Sequence, residues 1–203
     1  MLFSYKMTHD TGFAPNPFYG VLSLANCKPQ IRLKKKVGDY IAGFTSKRLC
    51  GEKVGEERLV FFMKVSQKLS YFEYFNDERY KNKIPNKSSL MSEAGDNIYM
   101  PDPTENGGFI QLANPYHVKD EMDHDLSGKF VLISHEFFYF GSGAIPIFRS
   151  EFNIKVPKYQ SAHGVKTDND VEIQKLYRYL SKSYKANIAI HAPHSWKKGE
   201  PFN

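Results

Sequence analysis

Apolar runs separated by Gly, Pro, Asn and Asp recur along the first three quarters of the chain. Runs of this length, bounded by turn residues, predict β-strands. The predicted strands cover 2–7, 20–25, 40–44, 58–65, 98–100, 109–112, 130–134 and 137–140. Residues 58–65 are almost entirely apolar, which predicts a central strand covered on both faces. The last two runs look like one strand and its continuation.

Helical periodicity is weaker and occurs in two places. Residues 71–75 form a short amphipathic segment, and a longer helix is predicted after the polar residues 168–170, which can cap its first turn. Residues 86–125, rich in Asn, Asp, Gly, Ser and Pro, predict long loops. We therefore expect one α+β domain over residues 1–185, with a mixed, barrel-like β-sheet, long loops and a C-terminal helix. Residues 186–203 are expected to be a tail.

Composition excludes several classes of protein. Only two cysteines occur, without a CxxC pair, so we expect neither a disulfide scaffold nor a zinc site, and no other cofactor. No apolar run approaches the roughly 18 residues that cross a bilayer, and no leader opens the chain, so we expect a cytoplasmic protein without a membrane partner.

The net charge of +6 favours an anionic partner. Aromatic residues, at 15%, either fill a β-rich core or offer stacking surfaces.

The strongest candidate chemistry follows the first strand, in residues 8–17. His9 and Asp10 are adjacent, so on extended backbone their side chains point in opposite directions. Either can pair with a group from another strand, and His135 or Glu136 is the candidate; the simpler alternative is a loop histidine beside an aspartate that caps a turn. Because histidine suits proton transfer at neutral pH, His9, Asp10 and His135 are the catalytic candidates.

A basic run at 32–36, with Lys28 upstream, is the clearest anion-facing element. Clustered cations neutralise phosphates and make binding salt-dependent, although a solvated loop has the same composition. Aromatic residues near this run in sequence, such as Phe13, offer faces on which a base can stack. Lys28, Arg32 and Lys34 are therefore the candidate phosphate ligands.

Five segments, taken together, resemble a known family. They cover residues 8–17, 24–29, 37–43, 130–134 and 138–141. The chain is similar there to the bacterial and phage proteins called nucleotide modification associated domain, second type. The resemblance extends over about residues 1–185 and implies an association with nucleotide or nucleic-acid modification, without a defined reaction. It implies a site that includes His9, Asp10, Asn16, Lys28, Arg32, Asp39 and Tyr139.

A looser similarity concerns the turn at 37–40 and the strand after it. This pattern resembles PUA-like folds, which include modules that read modified bases, and it implies a PUA-like sheet. It is an analogy at the level of the fold, which does not determine function. Residues after 185, including His191, His194 and Trp196, receive no assignment from either resemblance.

Two functions follow from these observations. The first is a binding module that takes a modified base in a pocket under the N-terminal loop. Its nucleotide-binding residues are Phe13, Asn16, Lys28, Arg32, Lys34, Asp39 and Tyr139. The alternative is a nucleotide-modifying transferase or hydrolase with His9 as general base, although no methyl-donor, triphosphate or metal signature accompanies it. The expected ligand is a nucleotide or a nucleic acid, and DNA and RNA both stay open. Protein partners from a modification or defence system are also expected. A purely structural subunit is the third possible function.

Overall fold

The structure is a computed structural model that describes residues 1–104, 107–118, 121–147 and 150–197. The described strands are β1 (Leu2–Lys6), β2 (Leu22–Leu24), β3 (Tyr40–Phe44), β4 (Arg58–Lys64), β5 (Gln67–Ser70), β6 (Tyr99–Pro101), β7 (Phe109–Gln111), β8 (Phe130–Ser134), β9 (Glu136–Tyr139), β10 (Ile145–Pro146) and β11 (Val165–Thr167). The described α-helices are α1 (Pro29–Lys34), α2 (Lys47–Cys50), α3 (Tyr71–Asn76), α4 (Leu90–Glu93), α5 (Met122–Leu126) and α6 (Asp170–Ser183). Every predicted strand is present, with its ends shifted by two residues at most.

The largest sheet is organised around β4. This strand pairs with β3 along one edge and with β9 and β10 along the other, and β3 runs parallel to β1, which pairs with β11. Residues 59–63 of β4 are fully buried, which confirms the predicted central strand. Leu59 and Phe62 pack in the core beneath α6, whereas Phe61 and Met63 pack in the core between this sheet and the sheet β2–β8–β5. The long helix α6 is the predicted late helix, and the Asn169 side chain caps it.

One strand prediction is wrong in its connectivity. Residues 130–134 and 137–140 do not form a strand and its continuation, because β8 and β9 lie in different sheets. The chain turns a corner at His135, where the Ser134 hydroxyl donates to Glu136 O at 2.9 Å and accepts from Glu136 N at 3.1 Å. The His135 N–H donates to the Ser66 hydroxyl at 3.0 Å, at the matching corner between β4 and β5. Two adjacent strand pairs therefore bend together from one sheet to the other.

The basic run forms a helix that the sequence pattern does not predict. Pro29 occupies the first turn of α1, and its fixed backbone angle suits that position. At the other end, the Lys68 ammonium donates to Leu33 O at 2.8 Å and to Lys35 O at 2.9 Å. These carbonyls at the end of the helix are satisfied by a side chain from β5. The sequence of residues 29–34 therefore contains little local signal that predicts a helix.

The described residues form a single mixed α+β domain, as the sequence predicts. The sheets are mixed and curl at the two corners, and none of them closes into a barrel among these residues. Similarity to PUA-like folds stays a prediction. The longest described helix, α6, has 14 residues, and none of the described helices has the length and apolar character needed to cross a membrane.

Residues 187–197, here called the C-terminal segment, lie against β9. Asn187 N donates to Phe137 O at 2.9 Å, and Ile190 N donates to Tyr139 O at 2.9 Å. Ala189 forms an isolated parallel bridge with Tyr139. The division of the chain at residue 185 stays a prediction, but this segment is packed against the sheet and continues towards the loop that follows β1.

Candidate functional site

An inner cavity of about 300 Å³ lies under the loop that follows β1. It is lined by Tyr5, Met7, Thr8, His9, Thr11, Phe13, Ala14, Cys27, Lys28 and Tyr116. One wall is therefore β1 and its loop, and the other is the turn that leads into α1. Three of the residues predicted from sequence, His9, Phe13 and Lys28, line this cavity together.

The turn at Cys27 and Lys28 has an unusual backbone. Both residues are left-handed, with φ values of 56° and 43°, a conformation that costs non-glycine residues about 1–3 kcal/mol each. The turn is held from behind, because Cys27 N donates to Asp125 Oδ1 at 2.6 Å and Cys27 O accepts from Arg32 Nε at 2.8 Å. This backbone conformation places Cys27 and Lys28 together on the cavity wall.

The support behind the turn is a buried ion pair, Arg32 with Asp125, and neither side chain is exposed. The guanidinium also donates to the Tyr71 hydroxyl at 2.6 Å and to Phe130 O at 2.9 Å. Asp125 accepts from the Tyr99 hydroxyl at 3.0 Å, and His117 Nε2 lies 2.9 Å from the same carboxylate. Burial raises the pKa of the Tyr71 and Tyr99 hydroxyls, so both stay neutral donors. The structure therefore places Arg32 behind the cavity wall, where its donors are engaged within the protein.

Lys28 supplies positive charge to the cavity. Its Nζ lies 5.2 Å from the centre of the Tyr5 ring, within the range of a cation–π contact. No carboxylate of the described residues pairs with it. Burial lowers the pKa of Lys28, because the ammonium loses solvation there without gaining a counter-ion. An anionic ligand would supply that counter-ion.

Tyr5 and Cys27 are two neutral polar groups of the cavity. Tyr5 is 2% exposed, and burial raises the pKa of its hydroxyl well above the usual value. No hydrogen bond from another described residue reaches this hydroxyl. Cys27 keeps an exposed surface, but partial desolvation of its thiol and the nearby Asp125 carboxylate raise the pKa of the thiol to about 11. The Tyr5 hydroxyl lines the cavity and can donate a hydrogen bond to an acceptor on a ligand.

Asp10 faces away from the cavity and fixes the C-terminal segment. Its carboxylate is 1% exposed and accepts hydrogen bonds from the Tyr139 hydroxyl, from His194 N at 3.1 Å and from His194 Nδ1, assigned as the donor, at 3.0 Å. Burial and the nearby carboxylate raise the pKa of Tyr139, which keeps its hydroxyl a donor. His9 and Asp10 thus point in opposite directions, and the histidine beside Asp10 is His194 rather than His135.

Two further contacts join the same loop to the C-terminal segment. Ser195 N donates to Asp10 O at 3.0 Å, and the Trp196 indole N–H donates to Thr11 O at 3.0 Å. The Trp196 ring stacks on Phe18 with centroids 5.4 Å apart. The loop over the cavity is therefore held in place by residues far away in sequence.

The remaining predicted residues lie outside the cavity lining. Asn16 is fully buried, where its amide donates to Ala94 O at 2.8 Å and its oxygen accepts from the Lys83 ammonium at 2.6 Å. Asp39 accepts from Lys36 N at 3.0 Å and lies 3.7 Å from the amino group of Met1. Lys34 is exposed on α1, and His135 is exposed at the corner between the sheets. The structure does not bring these four residues to the cavity.

Sequence reasoning missed Tyr5, Cys27 and His194. Tyr5 resembles any apolar strand residue, and the two left-handed residues of the turn, Cys27 and Lys28, are neither glycine nor asparagine. His194 contacts Asp10 across 184 residues, so no spacing rule could connect them.

Two other features define the surroundings. A hollow of about 470 Å³ at Pro85, Asn86, Lys87, Glu93, Ala113, Asn114 and Pro115 has no aromatic residue in its lining. The described residues contain no group of three or more His, Cys, Asp and Glu side chains that could hold a metal ion. The inner cavity differs from this hollow because it combines aromatic faces with the Lys28 cation.

Comparison with known proteins gives one result. No curated protein and no solved structure matches the chain significantly. A family model described as nucleotide modification associated domain 2 matches residues 1–200. The match confirms the resemblance seen in the sequence, and it links the chain to nucleotide modification. The chain belongs to the nucleotide modification associated domain 2 family.

Proposed function

We propose that this chain binds a nucleotide and holds the base in the inner cavity. The observation that carries the proposal is the presence of Lys28, a cation without a carboxylate partner among the described residues, in an aromatic-lined cavity of about 300 Å³. Small-ligand pockets start at about this volume and combine apolar walls with a few placed polar groups. The family's association with nucleotide modification agrees with such a ligand.

Each part of a nucleotide has a counterpart in the lining. Phe13, whose ring packs at 5.2 Å from the His117 ring, and Tyr116 line the cavity, and stacking of a base on an aromatic ring contributes about 1–3 kcal/mol. The hydroxyls of Tyr5 and Thr8 can bond to acceptors on the edge of the base or on the sugar. Lys28 can pair with the phosphate. We therefore propose recognition of a base, modified or not, by stacking and hydrogen bonds, with the phosphate held at the cavity entrance.

Catalysis by His9 is the second candidate, and one observation favours it: His9 lines the cavity. A general base also needs a group that orients its imidazole. No described residue hydrogen-bonds the His9 ring, and Asp10 is engaged with His194 instead. Binding therefore has stronger support than turnover.

The test is calorimetric titration with nucleoside 5′-monophosphates, with and without base modifications, against wild type and Lys28→Gln. Loss of a charge-assisted bond to phosphate costs about 1.5–3 kcal/mol, so affinity should fall by roughly tenfold or more. The matched control is Lys34→Gln, which removes the same charge from an exposed lysine of α1 and should leave affinity unchanged. Absence of binding by folded protein, or equal effects of the two variants, contradicts the proposal.

Mass spectrometry of the titrated ligand separates the two candidates. Unchanged ligand supports a binding module. A product that is formed by wild type and lost in His9→Ala supports the enzyme.

A further inference from the structure

A second space of about 570 Å³, here called the outer groove, adjoins the inner cavity. The groove is lined by Thr8, Cys27, Lys28, Pro29, Gln30, His124, Ser127, Gln160 and Ala162. Three of these residues, Thr8, Cys27 and Lys28, also line the inner cavity. The two spaces therefore share a boundary, here called the neck, formed by the end of β1 and the left-handed turn.

The neck carries the unpaired cation described above. Lys28 belongs to both linings, and its backbone is held by the contacts of Cys27 with Arg32 and Asp125. Because this support is buried, the start of the Lys28 side chain is fixed between the two spaces. A ligand that occupies both spaces would lie beside Lys28, which lines each of them.

The two spaces differ in size and lining. The inner cavity has aromatic walls and matches one base. The outer groove is nearly twice as large and presents neutral hydrogen-bonding side chains, including Gln30, Ser127 and Gln160. Such groups suit the sugar and the polar edges of a second base, and a single mononucleotide bound in the inner cavity would leave them unused.

We infer that the site takes two consecutive nucleotides of a single strand, with one base in the inner cavity, the linking phosphate on Lys28 and the next nucleoside in the outer groove. This inference rests on the proposed function and specifies its ligand as single-stranded nucleic acid. A base inside a duplex cannot enter a cavity beneath a loop unless it leaves the stack. A strand that is already unpaired avoids that cost, which favours it over duplex.

The test compares the four deoxynucleoside 5′-monophosphates with the sixteen deoxydinucleotides d(NpN), and the ribonucleotide set is titrated in parallel. The best dinucleotide should bind at least about tenfold tighter than the best mononucleotide, since the outer groove adds contacts. Ala162→Trp places a large ring in the outer groove at an exposed position. It should abolish the dinucleotide gain and leave mononucleotide affinity unchanged.

Ala186→Trp is the matched control, because Ala186 is also exposed and lies outside both linings. It should preserve the gain. Equal affinity for the two ligand sets, or a gain that survives Ala162→Trp, overturns the two-nucleotide inference while the proposed function stands. If neither ligand set binds to folded protein, the proposed function fails as well.

Discussion

Asp10→Asn removes one charge from the group that fixes the C-terminal segment and preserves the shape of the side chain. The carboxylate accepts one hydrogen bond from Tyr139 and two from His194. Asparagine keeps one acceptor oxygen, so if that oxygen stays with Tyr139, the amide group faces both His194 nitrogens. The imidazole can change tautomer so that Nδ1 accepts, which leaves the backbone N–H of His194 as the one unsatisfied donor. One buried unsatisfied donor costs about 1–3 kcal/mol, and the loss of charge assistance adds about 1 kcal/mol. We expect the docking of the segment to weaken by about 2–4 kcal/mol.

Trp196 makes this loss directly measurable. It is the single tryptophan of the chain, is 9% exposed and stacks on Phe18. Its fluorescence therefore reports the C-terminal segment, whereas far-UV circular dichroism reports the sheets and helices. In urea, the two signals should change together in wild type, and in Asp10→Asn the fluorescence should change at a lower concentration than the dichroism.

Asp39→Asn is the control, because that carboxylate pairs at 3.7 Å with the half-exposed amino group of Met1. Pairs of this kind contribute about 1 kcal/mol or less. If Asp10→Asn also costs less than about 1 kcal/mol and its two transitions coincide, the buried carboxylate does not hold the segment, and the reasoning is refuted.

Three further predictions concern buried positions. Gly43→Ala should lower stability in thermal unfolding by about 1–3 kcal/mol, since an added Cβ would overlap the Phe61 ring. Arg32→Met should cost about 3–5 kcal/mol in urea denaturation, because it leaves the Asp125 carboxylate buried without its partner; a cost below about 1 kcal/mol would contradict this. Burial lowers the pKa of Lys83 from the usual 10.5 to about 7, so the unfolded chain binds more protons between these values. The stability of wild type relative to Lys83→Met should therefore rise from pH 7 to pH 9, and a constant difference would argue against it.

The strands and the late helix could be predicted because their signal is local. Residues 58–65 are apolar without interruption, and the apolar spacing in α6 places Ile173, Leu176 and Leu180 against the sheet. The helix α1 and the corner at His135 were not predicted. Their hydrogen bonds come from Lys68 and Ser66, which lie on another strand or its corner, so the segments themselves carry no sufficient pattern.

The candidate site was accessible to sequence reasoning only in part. The sequence shows a loop that contains a histidine and a phenylalanine, and a lysine that precedes a basic run. These residue types are enough to suggest a site, and His9, Phe13 and Lys28 do line one cavity. The sequence shows the charge of Arg32 but not its burial, so Arg32 could not be distinguished from a cation on the surface. Its partner Asp125 lies 93 residues away, and only the fold brings them together.

The contact between Asp10 and His194 also determines when the loop that follows β1 acquires its full set of hydrogen bonds. The loop is made among the first residues, and the histidine that holds it is synthesised 184 residues later. At roughly 5–20 residues per second, this interval lasts about 9–37 s. During it the Asp10 carboxylate lacks two of its three donors, so the loop is not yet held by the C-terminal segment. Synthesis order therefore separates the appearance of the loop from its attachment to the rest of the fold.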